Sequence, residues 1–155
     1  MYSVELVEEK LKILDQTKLP FIEEYIFTDN VERIAQSIEK LEVRGAPAIG
    51  ITAAYALALS IKNSPKEKYS NDFFCAYNRI KITRPTAVNL FYAIDKMKKC
   101  FDENHYNQNL YEILLNKAKE IHLNDIKLCE LIAENGLSIF SKKSNVLTHC
   151  NTGFL

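Results

Sequence analysis

One segment of the sequence, residues 46–61, is apolar along nearly its whole length and carries no charge; it reads APAIGITAAYALALSI. It is shorter than the roughly 20 apolar residues that cross a bilayer, and polar Thr52, Tyr55 and Ser60 interrupt it. Pro47 suits the first turn of a helix, where a missing N–H group costs no hydrogen bond. We therefore expect a buried helix at the centre of a globular core, with the rest of the chain packed around it.

Composition limits the classes of partner. The 155 residues are enough for one ordinary domain, and 47% apolar with 26% charged residues is typical of a globular protein. The 20 basic and 20 acidic residues cancel, which argues against general nucleic-acid binding. The first residues, MYSVELVEEK, lack the apolar region of a secretion signal. We expect a cytoplasmic protein with neither a nucleic-acid nor a membrane partner.

The first 30 residues differ in pattern from the rest. Short apolar runs at residues 4–7, 11–14 and 24–27 are separated by polar turns, which predicts a small antiparallel meander. Asp29 and Glu32 then resemble a capping box at the start of a first helix. Because helical spacing dominates from there on, the predicted fold class is α+β and mainly helical, a β meander followed by a helical bundle.

The later helices are predicted from apolar periodicity and from breaking residues. We expect a second helix from the first turn at Pro47 to about Lys62, a third over residues 72–80, a fourth opened by Pro85, and two more within residues 107–140. The last two would meet near Asn124, with Asp125 as a cap. The fourth helix has an apolar face that we expect in the core: Phe91, Ile94, Met97 and Phe101.

The period changes again near the end of the chain. Val146 and Leu147 lead into a polar cluster with a glycine, which indicates a buried strand over residues 146–149 followed by a loop. A single strand needs neighbours for its backbone hydrogen bonds. We therefore expect residues 1–143 to form one domain and residues 144–155 to be the start of a second, truncated one.

Two arginines precede predicted helix starts. Arg44 lies three residues before Pro47, and Arg84 lies directly before Pro85. Helix N-termini attract anions, and a guanidinium adds a bidentate fork that matches phosphate. Gly45 would let a ligand approach the backbone closely. The alternative is that each arginine only bonds a loop carbonyl or pairs with a carboxylate such as Glu42.

Cys150 is the candidate nucleophile. It follows the predicted last strand and precedes Gly153, where a helix start would lower the pKa of its thiol. The alternative is a small apolar residue at a strand end. We predict that Cys75, Cys100 and Cys129 are small apolar residues too, Cys100 and Cys129 within helical segments. His149 is adjacent in sequence and would point to the opposite face of a strand, which argues against a Cys/His dyad. No C-x-x-C pair is present, so no metal site is predicted.

Four blocks carry a resemblance to a known family: LDQTKLP, VRGAPAIGITAAYALAL, RPTAVNLF and VLTHCNTG. Their order and spacing resemble the 5-methylthioribose-1-phosphate isomerases of methionine salvage, relatives of the initiation factor 2B regulatory subunits. The resemblance covers the whole chain and implies an N-terminal domain followed by a Rossmann-like domain, with the active site between them. It also implies that Arg44, Gly45, Ala46 and Arg84 hold a sugar phosphate and that Cys150 is catalytic. The family's catalytic aspartate would lie beyond Leu155.

The activity that the resemblance implies is aldose to ketose isomerisation of 5-methylthioribose 1-phosphate by the complete protein, expected as a homodimer and without a cofactor. An acid must protonate the ring oxygen, because the phosphate on C1 prevents ordinary ring opening. The fragment alone is expected to be inactive. Two alternatives remain: a phosphosugar-binding regulatory module of the initiation factor 2B type, and a related isomerase for another pentose phosphate.

Overall fold

The first described elements are three strands that form an antiparallel sheet, in which each strand pairs with the next one along the chain. A computed structural model describes residues 3–140 and 145–149. The strands are β1 (Val4–Val7), β2 (Lys10–Leu14) and β3 (Tyr25–Thr28). This confirms the predicted meander, with boundaries shifted by one residue at β2 and β3.

The sheet has one buried face because apolar residues alternate along its strands. Ile13 of β2 is paired with Val4 on one side and with Ile26 on the other. Leu11, two residues before Ile13, points to the same face, and both side chains are fully buried. The intervening Lys12 is half-buried and lies over the Tyr25 ring instead. The central strand β2 therefore attaches the sheet to the helical core.

Five α-helices follow the sheet within the described residues, so the fold is α+β and mainly helical, as predicted. They are α1 (Val31–Glu39), α2 (Ala46–Leu59), α3 (Tyr69–Lys81), α4 (Val88–Asn104) and α5 (Leu110–Leu137). A single 3₁₀ turn, Lys66–Lys68, precedes α3. No helix among the described residues combines the length and the apolar content that crossing a membrane would require.

Helix α2 is the centre of the bundle. Every one of its residues from Ile49 to Leu59 is buried, and the helix contacts α1, α3, α4 and α5. A helix that is apolar on all sides is stable in water only when neighbours surround it. This confirms the central buried helix predicted from the uncharged segment. The predicted core face of α4 is confirmed too, since Ile94, Met97 and Phe101 are buried and Phe91 packs against them.

Two predicted helix starts are wrong. Helix α1 is capped by Asn30, whose side chain accepts a hydrogen bond from the Arg33 N–H group at 2.9 Å, rather than by Asp29. Helix α4 begins at Val88, three residues after Pro85. Pro85 instead lies inside a turn that the Ala87 N–H group closes on the Arg84 carbonyl at 3.0 Å. Proline suits the second position of such a turn as well as it suits a first helical turn.

The two helices predicted within residues 107–140 are a single one, α5. Asn124 and Asp125 lie in its interior, and Asp125 caps nothing there. In a helix interior these residues cost only about 0.7 kcal/mol relative to alanine, too little to break a long helix whose first half is docked on the core. Its buried residues all lie in that first half, from Leu110 to Ile121.

The strand predicted over residues 146–149 is not formed. Residues 145–149 have no regular secondary structure and are exposed; Leu147 is 99% exposed. A strand requires a hydrogen-bonded neighbour, and the three described strands pair with one another. The rest of the predicted second domain, including Cys150, lies outside the described residues, so the boundary at residue 143 stays a prediction.

Candidate functional site

The segment before α2 is shaped by Gly45, the N-cap residue of that helix. Gly45 has φ 95° and ψ 130°, a backbone conformation that side chains disfavour. Its carbonyl accepts the first helical hydrogen bond, from the Ile49 N–H group at 3.1 Å. Pro47, in the first turn, has no N–H group to satisfy. The N–H groups of Ala46 and Ala48 therefore stand at the open end of α2.

Arg44 is held by the loop that follows β2. Its Nη2 donates to the Gln16 carbonyl at 2.8 Å, while Gln16 Nε2 donates to the Arg44 carbonyl at 3.3 Å. The predicted alternative, a pair between Arg44 and Glu42, is wrong, because Glu42 binds Arg33 Nη1 at 2.6 Å. The loop-carbonyl bond that the first alternative expected is present at Arg44, and it does not exclude binding of an anion. The bond to Gln16 uses one of the five guanidinium N–H donors of Arg44, and Arg44 is exposed.

Arg84 lies in the turn before α4 and is half-buried. Its carbonyl closes that turn with Ala87. Among the described residues its guanidinium makes no hydrogen bond or ion pair. It contrasts with Arg79 on α3, which binds Glu32 and Glu39 at 2.6–2.9 Å. Arg84 thus keeps its donors available beside a helix N-terminus.

The structure brings the first turns of α2 and α4 together. A Cβ added to Gly50 of α2 would lie 2.6 Å from the Asn89 carbonyl oxygen and 3.5 Å from Ala93 Cβ, both in α4. Gly50 is one turn after Ala46, and Asn89 is the second residue of α4. The segments that carry Arg44 and Arg84 therefore lead into adjoining helix N-termini.

These two helix starts also differ from the others in charge. Helices α1, α3 and α5 each carry an acidic residue in the first turn, namely Glu32, Asp72 and Glu112. Helices α2 and α4 carry none, and, like α3 and α5, they have no side-chain cap. Since a helix N-terminus carries about half a positive charge, the adjoining starts of α2 and α4 leave an uncompensated positive region.

A cavity of about 290 Å³ lies against the same two turns. It reaches from Pro47 and Gly50 of α2 and Val88 of α4 to Asn124 and Asp125 of α5. Its volume is at the lower end of the range for small-molecule pockets, roughly 300–1,000 Å³. Burial raises the pKa of the Asp125 carboxyl, and the neighbouring His122 partly opposes that rise. The cavity therefore has an apolar lining with a few polar groups.

Comparison with known proteins decides the family. The family model described as "Initiation factor 2 subunit family" matches residues 42–155, most of the chain. The chain belongs to the initiation factor 2 subunit family. The match begins just before the Arg44–Ala46 segment and takes in α2 through α5.

Several curated relatives in this family are named methylthioribose-1-phosphate isomerase. The protein of Thermotoga petrophila is 42% identical over 153 residues, covering 99% of this chain and 45% of its own length. That of Caldicellulosiruptor saccharolyticus is 39% identical over 158 residues, covering 100% of this chain and 46% of its own length. The chain thus spans slightly less than half the length of these relatives.

Solved structures of two family branches are similar to the fold. A 5-methylthioribose 1-phosphate isomerase from Pyrococcus horikoshii matches with a TM-score of 0.74 and 34% identity, over 77% of this chain and 35% of the other. The delta subunit of translation initiation factor eIF-2B from A. fulgidus matches with a TM-score of 0.75 and 33% identity, over 81% and 38%. Both support the resemblance that the four sequence blocks indicated.

Two of the cysteines lie elsewhere than predicted. Cys75 and Cys129 are exposed rather than apolar core residues, whereas Cys100 is half-buried and burial raises the pKa of its thiol. His122 in α5 is half-buried, and its Nδ1 lies 3.2 Å from the Tyr55 hydroxyl. Within residues 3–140 and 145–149, no group of three or more His, Cys, Asp or Glu side chains is placed to hold a metal ion.

Two residues that shape the candidate site were not predicted from the sequence, namely Gln16 and Asn89. Gln16 was not considered because it lies 28 residues before Arg44, and its role depends on tertiary contact. Asn89 was missed for the same reason. The sequence does contain a signal for Gln16, which is an uncharged polar residue just after an apolar strand, within the block LDQTKLP. In the structure only 3% of Gln16 is exposed.

Proposed function

We propose that this chain is the N-terminal, phosphate-binding part of an aldose–ketose isomerase that acts on 5-methylthioribose 1-phosphate. The observation that carries the proposal is the pair of adjoining helix starts, α2 and α4, which lack acidic residues and side-chain caps and are each preceded by an arginine. The names of the curated relatives support the choice of substrate.

In this proposal Arg44, Gly45, Ala46 and Arg84 bind the phosphate. The two guanidinium groups supply forked donors, and the N–H groups at the start of α2 add backbone donors with a favourable dipole. Gly45 keeps side-chain atoms away from the approaching phosphate. The cavity beyond Pro47 and Val88 gives room for the sugar.

Cys150 remains the proposed catalytic thiol, and the ring oxygen would be protonated by an acid in the second half of the complete protein. The sites on this chain hold the substrate while chemistry takes place between two domains. The complete protein is proposed to be a cytoplasmic homodimer.

The first experiment measures phosphate binding by the 155-residue chain. Ribose 1-phosphate is titrated into the labelled chain, and the amide resonances of Gly45 and Ala46 are followed by NMR. We expect those resonances to shift, and we expect Arg44→Ala and Arg84→Ala each to weaken binding about tenfold or more, since hydrogen bonds to charged groups contribute about 1.5–3 kcal/mol.

The matched control is Arg79→Ala. Arg79 is also an arginine on the helical bundle, but Glu32 and Glu39 already occupy its donors. Its removal should leave the affinity for ribose 1-phosphate unchanged. Equal losses of affinity in all three variants, or none in any, would contradict the proposed site.

A regulatory phosphosugar-binding module is the second candidate, because the initiation factor subunit is as similar in structure as the isomerase is. It would use the same arginines without chemistry. Cys150→Ser in a complete chain separates the two: loss of ketose formation supports the isomerase, whereas binding without any turnover by the unmodified complete chain supports the regulatory module.

A further inference from the structure

Gln16 is the buried polar residue behind Arg44. It follows β2 and Asp15, and only 3% of it is exposed. Its backbone N–H group donates to the Glu42 carbonyl at 3.0 Å, and its side-chain Nε2 donates to the Arg44 carbonyl at 3.3 Å. The Gln16 carbonyl accepts from Arg44 Nη2 at 2.8 Å. Donor and acceptor groups of one residue thus hold both ends of Arg44, its backbone and its guanidinium.

The same loop is fixed from its other side by α1. Arg33 Nη1 donates to Glu42 Oε2 at 2.6 Å and to Ser37 Oγ at 2.8 Å. The Val43 N–H group donates to the Ser37 carbonyl at 3.1 Å. Residues 42 and 43 are therefore bound to α1, while the Glu42 carbonyl and Arg44 are bound to Gln16 in the loop after β2.

The bond to the Gln16 carbonyl restricts the Arg44 guanidinium before any ligand binds. An arginine side chain has many rotamers, and ordering it on binding costs affinity. Because one Arg44 N–H group already donates to the Gln16 carbonyl, the other four guanidinium N–H groups are held in a restricted position. A side chain that is ordered before the ligand arrives loses less freedom when the ligand binds.

We propose that Gln16 is a positioning residue for the Arg44 anion site. Its side-chain amide donates to the Arg44 carbonyl. That bond keeps the Arg44 guanidinium within hydrogen-bonding distance of the Gln16 carbonyl at the start of α2. The inference rests on the proposed role of Arg44 in phosphate binding, and it assigns to Gln16 no contact with the phosphate itself.

The test variant is Gln16→Met, which removes the amide donor at nearly constant volume and leaves the Gln16 backbone in place. The control is Ser60→Ala, which removes a hydroxyl-to-carbonyl hydrogen bond of 2.7 Å at the far end of α2. Thermal unfolding of both variants records the structural cost of each change. Ribose 1-phosphate affinity is then measured in the unmodified chain, in Gln16→Met, in Arg44→Ala and in the double variant.

We expect Gln16→Met to weaken ribose 1-phosphate about fivefold, the scale of ordering one long side chain on binding. In the Arg44→Ala background the same change should have no further effect, because Gln16 acts through Arg44. Ser60→Ala should leave the affinity unchanged. A loss of affinity from Gln16→Met that is equally large with and without Arg44 would overturn the inference.

A ligand-free measurement keeps this inference distinct from the proposed function. The order parameter of the Arg44 Nε–H bond, from ¹⁵N relaxation, should fall in Gln16→Met and stay constant in Ser60→Ala. If the unmodified chain fails to bind ribose 1-phosphate, the proposed function fails while this measurement still decides the role of Gln16. An unchanged order parameter in Gln16→Met would show that Gln16 does not position Arg44.

Discussion

At the scale of single residues, the contact between His122 and Tyr55 shows how burial changes titration. The Tyr55 hydroxyl lies 3.2 Å from His122 Nδ1, and the two rings meet edge to face at 5.9 Å. Burial raises the pKa of Tyr55 to about 12, so its hydroxyl stays neutral. Burial lowers the pKa of His122, and the carboxylates of Asp125 and Glu5 partly oppose this. The folded chain therefore favours neutral His122.

Stability should depend on pH through His122. Because the folded state lowers the pKa of His122 below 6.5, the unfolded chain binds the proton more readily. The contribution of neutral His122 is fully present above pH 6.5 and is lost as pH falls from 6.5 through the folded pKa. One proton limits the slope to about 1.4 kcal/mol per pH unit. Urea unfolding from pH 7 to pH 5 measures it.

The variant His122→Gln should flatten this part of the pH profile, while His105→Gln, at an exposed position, should follow the unmodified chain. Comparing the two histidine variants removes the contribution of the many carboxyl groups, which all three proteins share. Identical pH profiles for the unmodified chain and His122→Gln would contradict the prediction.

At the scale of helices, the contact between α2 and α4 sets the geometry of the candidate site. Their first turns approach where Gly50 faces the Asn89 carbonyl, and any side chain at position 50 would meet backbone rather than a movable side chain. A change of separation here would also move Arg44 relative to Arg84. The glycine is therefore as much a requirement of the site as of the core.

Gly50→Ala should destabilise the chain by about 1–3 kcal/mol, the typical cost of overpacking a core. The added Cβ would lie 2.6 Å from the Asn89 oxygen, and this outweighs the gain of up to about 1 kcal/mol in helix propensity. Gly136→Ala in α5 is the control, because nothing lies within 4 Å of its added Cβ.

Urea unfolding of both variants gives the free energies of unfolding. We expect Gly136→Ala to be neutral or stabilising, since only the propensity gain remains. Equal stability of Gly50→Ala and the unmodified chain would mean that α2 and α4 can separate at no cost.

At the scale of the whole molecule, the inner and outer halves of α5 differ. The inner half, Leu110 to Ile121, packs against α2 and α4. Most residues of the outer half, after Ile121, are exposed, including the apolar Leu128, Ile132 and Leu137. The chain spans 45–46% of the length of the curated isomerases. The proposed site on this chain is formed by the starts of α2 and α4, and α5 lines the adjoining cavity.

We predict that the 155-residue chain binds the sugar phosphate and does not isomerise it. Arg44 and Arg84 would hold the phosphate equally in the ground state and the transition state, which adds affinity without lowering the barrier. General acid catalysis contributes about 10²–10⁴-fold, and the acid is proposed to lie in the second half of the complete protein. Ketose formation by the purified chain is measured beside the Thermotoga petrophila isomerase.

Ketose formation by the complete isomerase shows that the assay detects turnover. Binding of ribose 1-phosphate by the same sample of the 155-residue chain shows that the chain is folded. Turnover within tenfold of the complete enzyme would mean that the catalytic groups lie within these 155 residues.

The sequence by itself determined the elements. The three strands follow from short apolar runs separated by polar turns, and the central helix α2 follows from a long apolar segment without charge, because both patterns record which residues must be buried. Errors occurred where two local structures suit the same residues, as at Pro85, which fits a turn or a helix start, and at Asn124, which a helix interior tolerates.

Only the tertiary structure decided which elements meet. Gln16 and Arg44 are 28 residues apart, and Tyr55 and His122 are 67 apart. No local pattern encodes such pairs, because a residue's helical or extended preference is independent of the distant residue that it will contact. The candidate site depends on the close packing of Gly50 against the Asn89 carbonyl and on the reciprocal bonds of Gln16, since packing of the whole bundle, rather than any one segment, places two helix starts side by side.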